Sequence, residues 1–166
     1  MNGKLILPLE YAEITSPLVF LAGPIQGSRD WQKEAINFIR KIAPEINIAN
    51  PRRKYLPEEF VYEKQVDWET YYLRRAGKNG CVMFWLAKEF KHECDRAYAQ
   101  TSRFELGEWK VMHQHEGAKL VVGIENGFNN ARYIKRRLCQ DCPNVPVLSD
   151  LEKTCRKATE LARHNL

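Results

Sequence analysis

Three stretches of the chain carry residue types that can do chemistry. In Thr101-Ser102-Arg103-Phe104-Glu105-Leu106-Gly107 a glutamate falls in the opening turn of a predicted helix that follows an apolar strand. A carboxylate placed there meets the positive end of the helix dipole, which favours its ionised form and lowers its pKa, as suits a nucleophile that must be anionic at neutral pH. The same letters also fit a structural role, since Ser102 and Glu105 form the S-x-x-E pattern of a capping box. Local pattern alone favours the cap.

The second stretch, Gln65-Val66-Asp67-Trp68-Glu69-Thr70-Tyr71-Tyr72-Leu73, sets two acids among aromatics on one predicted helix. Two positions apart on a 3.6-residue period, Asp67 and Glu69 point to different faces, so only one can share a crevice with Glu105. Surface charge interleaved with core aromatics is the usual explanation of such a stretch, and a second acid paired with Glu105 is the sharper alternative. The third stretch is Gly23-Pro24-Ile25-Gln26-Gly27-Ser28-Arg29-Asp30, between a strand and a helix. It matches neither the Walker loop nor G-x-G-x-x-G. Its backbone N–H groups, the Ser28 hydroxyl and the Arg29 guanidinium could together hold an anion, and a tight turn followed by an Asp30 N-cap accounts for the same residues.

Other clusters say less. Arg52-Arg53-Lys54 follows a second strand and is either a solvated face or added positive charge for an anion, while Lys135-Arg136-Arg137 reads as a solvated face. Cys139-x-x-Cys142, with Cys155, His113 and His115, does not make a zinc site: the C-x-x-C has no second half, and histidines two apart on a helix project to different sides. No metal is predicted.

The elements that must position these groups alternate along the chain. Apolar runs at Leu18–Ala22, Cys81–Leu86 and Lys119–Ile124, with shorter ones at Ile46–Ala49 and Val145–Leu148, read as strands, Leu18–Ala22 being the first core strand. Helical periodicity is expected over Asp30–Ala43, from about Pro57 to Ala76, over Ser102–His115, Tyr133–Cys139 and Asp150–His164. Strands apolar throughout and separated by helices predict an α/β fold, a parallel sheet of about five strands with helices on both faces. Ligands of such sheets bind beyond the carboxyl ends of the strands. The loops at 23–30, 50–56, 87–102 and 125–130 are therefore where function is expected.

The chain has 166 residues, 28% charged and 44% hydrophobic, enough for one domain spanning 1–166 with a sizeable core. No apolar run approaches the roughly 18 residues of a membrane span, and the first residues lack the pattern of a signal peptide. Five cysteines, an odd number in a chain this long, fit a reduced cytoplasmic setting rather than a disulfide scaffold. A net charge of +5 is a mild bias toward anionic partners, too small to indicate nucleic acid without a recognisable motif.

Taken in order, Phe20-Leu21-Ala22-Gly23-Pro24-Ile25, Trp68-Glu69 with Leu73 and Ala76, the strand ending Phe84-Trp85, and Phe104-Glu105-Leu106-Gly107 resemble the nucleoside 2-deoxyribosyltransferase-like family. The resemblance covers Val19 to Ile124. It implies a flavodoxin-like three-layer sandwich, a nucleoside or nucleotide as substrate, and Glu105 as nucleophile at the anomeric carbon, in place of the capping role. The family's second acid falls on Glu69, with Asp67 the alternative, and serves to position or protonate the leaving base. No metal or organic cofactor is implied.

Within the family the 23–29 loop resembles that of the 2′-deoxynucleoside 5′-monophosphate N-hydrolases. That likeness implies that Phe20, Gly23, Pro24, Gln26, Ser28 and Arg29 bind substrate, Ser28 and Arg29 at the phosphate. Phe20 and Gln26 stand where those enzymes carry a tyrosine and an arginine, and Gly80 stands where many transferases carry an acid that contacts the base. Ser102 completes the expected pocket. A homodimer or larger assembly is implied, with Asn126 and Asn129 as sugar or phosphate contacts. The rival expectation on the same fold is a nucleotide-sensing module without turnover.

Overall fold

A computed structural model of the chain describes residues 2–53, 60–93 and 95–164. The strands are β1 (Leu5–Ile6), β2 (Leu18–Ala22), β3 (Asn47–Ala49), β4 (Gly80–Leu86), β5 (Leu120–Ile124) and β6 (Val147–Leu148). The helices are α1 (Trp31–Ile42), α2 (Tyr62–Asn79), α3 (Gln100–Glu116), α4 (Ala131–Asp141) and α5 (Leu151–Arg163). The strands form one sheet in the order β1-β3-β2-β4-β5-β6, every neighbouring pair parallel. Leaving the edge strand β1 aside, this is the flavodoxin-like order, and its direction reverses between β2 and β4.

Side chains of the central strands enter two cores by turns, because successive residues of a strand face opposite sides. Phe20, Val82, Phe84, Leu86, Leu120 and Val122 point to one side, under Trp68, Tyr72, Leu73 and Ala76 of α2, Leu106 and Trp109 of α3, and Leu138 of α4. Val19, Leu21, Met83, Trp85 and Val121 point to the other, under Trp31, Ala35 and Ile39 of α1 and Cys155, Ala158 and Ala162 of α5. Each such aliphatic or aromatic side chain contributes about 1.5–3 kcal/mol by leaving water, which is why strands apolar on both faces must lie between helix layers. Asp30 caps α1 as expected, its carboxylate accepting from the Lys33 N–H at 3.1 Å.

Several boundaries differ from expectation. Leu18–Ala22 is the second strand, not the first, because Leu5 and Ile6 pair with Ile48 and Ala49 and add a sixth strand at the edge. A two-residue strand carries no alternation to read. The segment joining it to β2 is tied across α2, where the Trp68 Nε1–H donates to the Glu10 carbonyl at 2.8 Å and the Ala12 N–H donates to the Tyr72 hydroxyl at 2.8 Å. The α2 helix runs through Gly77 to Asn79 rather than ending at Ala76. Gly77 is where α3 crosses it, since a Cβ there would stand 2.3 Å from Trp109 Cζ3. The expected start of this helix near Pro57, and with it Lys54, lies outside the described residues, as does Cys94.

The α3 helix begins at Gln100, two residues before the expected start, behind Ala99 in the left-handed conformation at φ 57° with no side-chain cap. The capping box is therefore not formed: Ser102 is already inside the helix and Glu105 lies in its second turn. On α4 and beyond, Cys139 is exposed and Cys142 buried. The His113 ring bonds the Ala118 carbonyl and the Asn144 amide oxygen. Among the described residues no group of three His, Cys, Asp or Glu could hold a metal, and no helix is long and apolar enough to cross a membrane.

Candidate active site

The site is built on the faces of α2 and α3 that look toward the carboxyl edge of the sheet. On α3 the buried positions Ser102, Leu106 and Trp109 recur at helical spacing, and Glu105 sits beside them, partly covered. On α2 the buried positions are Gln65, Trp68, Tyr72, Leu73 and Ala76, and Glu69 sits among them, also partly covered. Asp67 is exposed, on another face of the helix. Of the two acids on α2, Glu69 is thus the one turned inward.

Burial pushes the Glu105 carboxyl up from 4.5 to about 8, with the charges of Glu69 and Glu108 adding to the effect. This reverses the lowering expected from the helix dipole. The dipole's influence fades within the first turn, whereas loss of water and a like charge act at full strength in the second. Burial also raises Glu69, opposed by the Gln65 amide, whose Nε2–H donates to Glu69 Oε1 at 2.7 Å. The two carboxyls therefore share one electrostatic neighbourhood, and together they hold a proton near neutral pH.

The loop after β2 is held by its own groups. Gly23 has φ +148°, and a Cβ there would lie 2.2 Å from the Trp85 carbonyl oxygen, so only glycine lets the chain pass β4. The buried Pro24 offers its carbonyl to the Ser28 hydroxyl at 2.8 Å and to the Trp31 indole N–H at 2.9 Å. Ser28 in turn accepts from Arg52 Nη2 at 3.0 Å. The half-buried Arg52 also donates to the Ile25 and Arg29 carbonyls and to Gln32 Oε1, and stands 3.4 Å from the Asp30 carboxylate. Arg29 lies over the Phe90 ring at 4.5 Å, and Gln26 is exposed.

Tyr98 joins this loop to the others. Its hydroxyl donates to the Ala87 carbonyl at 2.7 Å, its ring borders Gly27, and it packs on Phe128 with centroids 6.2 Å apart. Arg103, from α3, stacks over Phe128 at 4.6 Å and donates to the Asn129 carbonyl at 2.8 Å. The side chains of Asn126 and Asn129 are exposed. A cavity of about 410 Å³ between α3 and α4, lined by Leu106, Gly107, Val111 and Tyr133 among others, includes neither glutamate.

The expected pocket is thus only partly assembled as read. Glu105 and Glu69 come together, whereas Phe20 is 1% exposed and packs on Trp68 at 6.2 Å. Expected as a substrate contact, the Phe20 ring packs within the core. Ser102 is 4% exposed. Of the two residues expected at a phosphate, Ser28 is hydrogen-bonded within the loop, whereas Arg29 is exposed and lies over Phe90. Gln65, Tyr98 and Arg103 were not anticipated as parts of the site, and the one local signal among them is the four-residue spacing of Gln65 and Glu69.

The model of the family described as nucleoside 2-deoxyribosyltransferase like matches residues 16–128, a span that runs from before β2 to beyond β5 and includes both glutamates. No curated protein matches the chain.

Proposed function

The chain belongs to the nucleoside 2-deoxyribosyltransferase-like family, and from that premise we propose that it cleaves or transfers the N-glycosidic bond of a nucleoside or its 5′-monophosphate, with Glu105 as nucleophile and Glu69 as acid–base partner. The observation that carries this reading is the pair of inward carboxyls on α2 and α3, both with raised proton affinity, at the edge of the sheet where α/β folds bind ligands. A pair holding one proton has what the reaction needs: one carboxylate to attack and one proton for the departing base.

In the first step a Glu105 oxygen bonds to C1′ as the C1′–N bond breaks. The electron pair of that bond stays with the base, which takes a proton from Glu69. In the second step water or another base attacks C1′, the Glu69 carboxylate accepts the proton released, and Glu105 leaves as a carboxylate. Both steps pass through an oxocarbenium-like transition state, and two inversions give net retention. No metal or organic cofactor enters. Neither step needs a second kind of catalytic group.

Within this reading the 23–30 loop favours an unphosphorylated nucleoside. Asp30 already occupies the α1 N-terminus and faces Arg52, Ser28 is bonded inside the loop, and Arg29 lies on Phe90. A 5′-phosphate would meet a carboxylate where an anion site needs unpaired donors. The homodimer or larger assembly implied by the family resemblance is part of the same proposal.

The test is base release followed by chromatography across ribo- and deoxyribonucleosides and their 5′-monophosphates, with and without a second free base. Release without acceptor supports a hydrolase, and new nucleoside formed only with acceptor supports a transferase. Binding without release from any member of the panel would replace the catalytic reading with that of a sensing module.

A further inference from the structure

We propose that Gln65 is a positioning residue that decides which of the two carboxyls carries the proton of the empty site, holding Glu69 as the carboxylate and leaving the proton on Glu105. The inference rests on the roles assigned above to those two glutamates.

Gln65 is only 9% exposed, and its amide nitrogen reaches two acceptors. Its Nε2 lies 2.7 Å from Glu69 Oε1, one turn further along α2, and 3.4 Å from the Pro51 carbonyl oxygen just beyond β3. An amide nitrogen has two hydrogens, and here each faces an acceptor. Turning the amide over would set its oxygen against the Pro51 carbonyl and withdraw the donor from Glu69. The orientation is therefore locked, and its consequence is visible on the other side, where Oε1 is buried without a partner.

A buried acceptor left unpartnered is unfavourable, and an apolar side chain of the same length would avoid it. What the amide supplies in return is a donor that an apolar residue lacks, aimed at Glu69. A donor fixed in place stabilises the ionised form of its acceptor. The charge of Glu69 acts across to Glu105 on the neighbouring helix, and the charge of Glu108 acts on Glu105 as well. Glu105 feels the charge of Glu69, so the two carboxyls titrate as a pair, and a donor on Glu69 favours Glu105 as the carrier of their shared proton. The nucleophile is thereby capped in the empty enzyme, and its proton must pass to Glu69 or to the base before C1′ is attacked.

The experiment is a carboxyl-carbon NMR titration of ¹³C-glutamate-labelled full-length protein, with Glu69 and Glu105 assigned by their glutamine variants. Wild type is compared with Gln65→Met, with Glu69→Gln and with the double variant. In Gln65→Met the Glu69 titration is expected to move to higher pH and that of Glu105 to lower pH, opposite shifts that a loss of packing alone does not produce. In the Glu69→Gln background, adding Gln65→Met is expected to leave the Glu105 titration unchanged, because Gln65 acts through Glu69. Unmoved titrations in Gln65→Met, or a Glu105 shift that persists in the double variant, would overturn the proposal. Should Gln65→Met fail to fold, Gln65→Asn, which keeps an amide but withdraws it from Glu69, gives the same opposite shifts or refutes them. None of these readouts needs turnover. Failure of the wild type to release base would therefore count against the enzymatic reading, and the NMR cycle would still decide the role of Gln65.

Discussion

Replacing Glu105 with glutamine should stabilise the protein while abolishing base release, and the gain should grow with pH. The Glu105 carboxyl titrates at about 8 in the folded protein against 4.5 ordinarily, so the folded state binds this proton more tightly than the unfolded chain does. Stability is then lost as pH rises through 4.5, and the loss levels off above about 8, at about 1.4 kcal/mol per pH unit in between. At pH 7 this sets a ceiling of about 3 kcal/mol, and since Glu105 keeps part of its surface in water, screening reduces the expected figure to about 1–2 kcal/mol. Glutamine has nearly the same shape and cannot ionise. Urea unfolding of both proteins at pH 5, 7 and 8.5 reads the difference as a shift in midpoint at constant slope. The variant should be slightly favoured at pH 5 and clearly favoured at 8.5. A variant less stable than wild type at every pH, by the roughly 0.5–2 kcal/mol of a lost helix cap, would refute the reasoning. Base release at the wild-type rate would refute the nucleophile.

Three further outcomes follow from the same geometry. For wild type, kcat/KM should fall above about pH 8 as the pair loses its one proton; in Glu69→Gln that fall should vanish, with rates lowered about 10²–10⁴-fold and rising through a lowered Glu105 pKa, so an unchanged bell-shaped profile would exclude Glu69 as the acid. Gly23→Ala should cost at least about 2 kcal/mol in thermal or urea unfolding, because its Cβ would fall 2.2 Å from the Trp85 carbonyl at a positive φ; a melt within error of wild type would contradict the close approach. Asp30→Asn leaves Arg52 without its carboxylate and should raise the use of a 5′-monophosphate relative to its nucleoside by about two- to fivefold, the scale of a screened surface charge. An unchanged ratio of the two rates would show that the loop does not discriminate through this pair.

Much of the architecture is legible in the chain because the signals are local. Leu18–Ala22 and Cys81–Leu86 are apolar without interruption, a pattern that suits strands covered on both faces, and the helices between them oblige the sheet to be parallel. Asp30 caps α1 from one residue away. Where the deciding contact is remote, the letters mislead or are silent. Gly77 reads as a loop glycine until Trp109 is seen to cross it, and β1 is too short to show any period.

The candidate site divides in the same way. That a glutamate at 105 and an acid near 69 could act together is readable from residue type, spacing and family resemblance. Which acid turns inward was decided by the packing of α2, whose Trp68, Tyr72 and Ala76 define a buried face that takes Glu69 with it and leaves Asp67 in water. The sign of the Glu105 shift was likewise a tertiary matter. A helix dipole can be inferred from neighbours in sequence, but desolvation and the charge of Glu69, 36 positions away, exist only once α2 and α3 share one face of the sheet. The sequence by itself determined which groups are present and in what order. Their protonation and availability were left to the packing, because electrostatic energy depends on distance in space and on excluded water, neither of which is written along the chain.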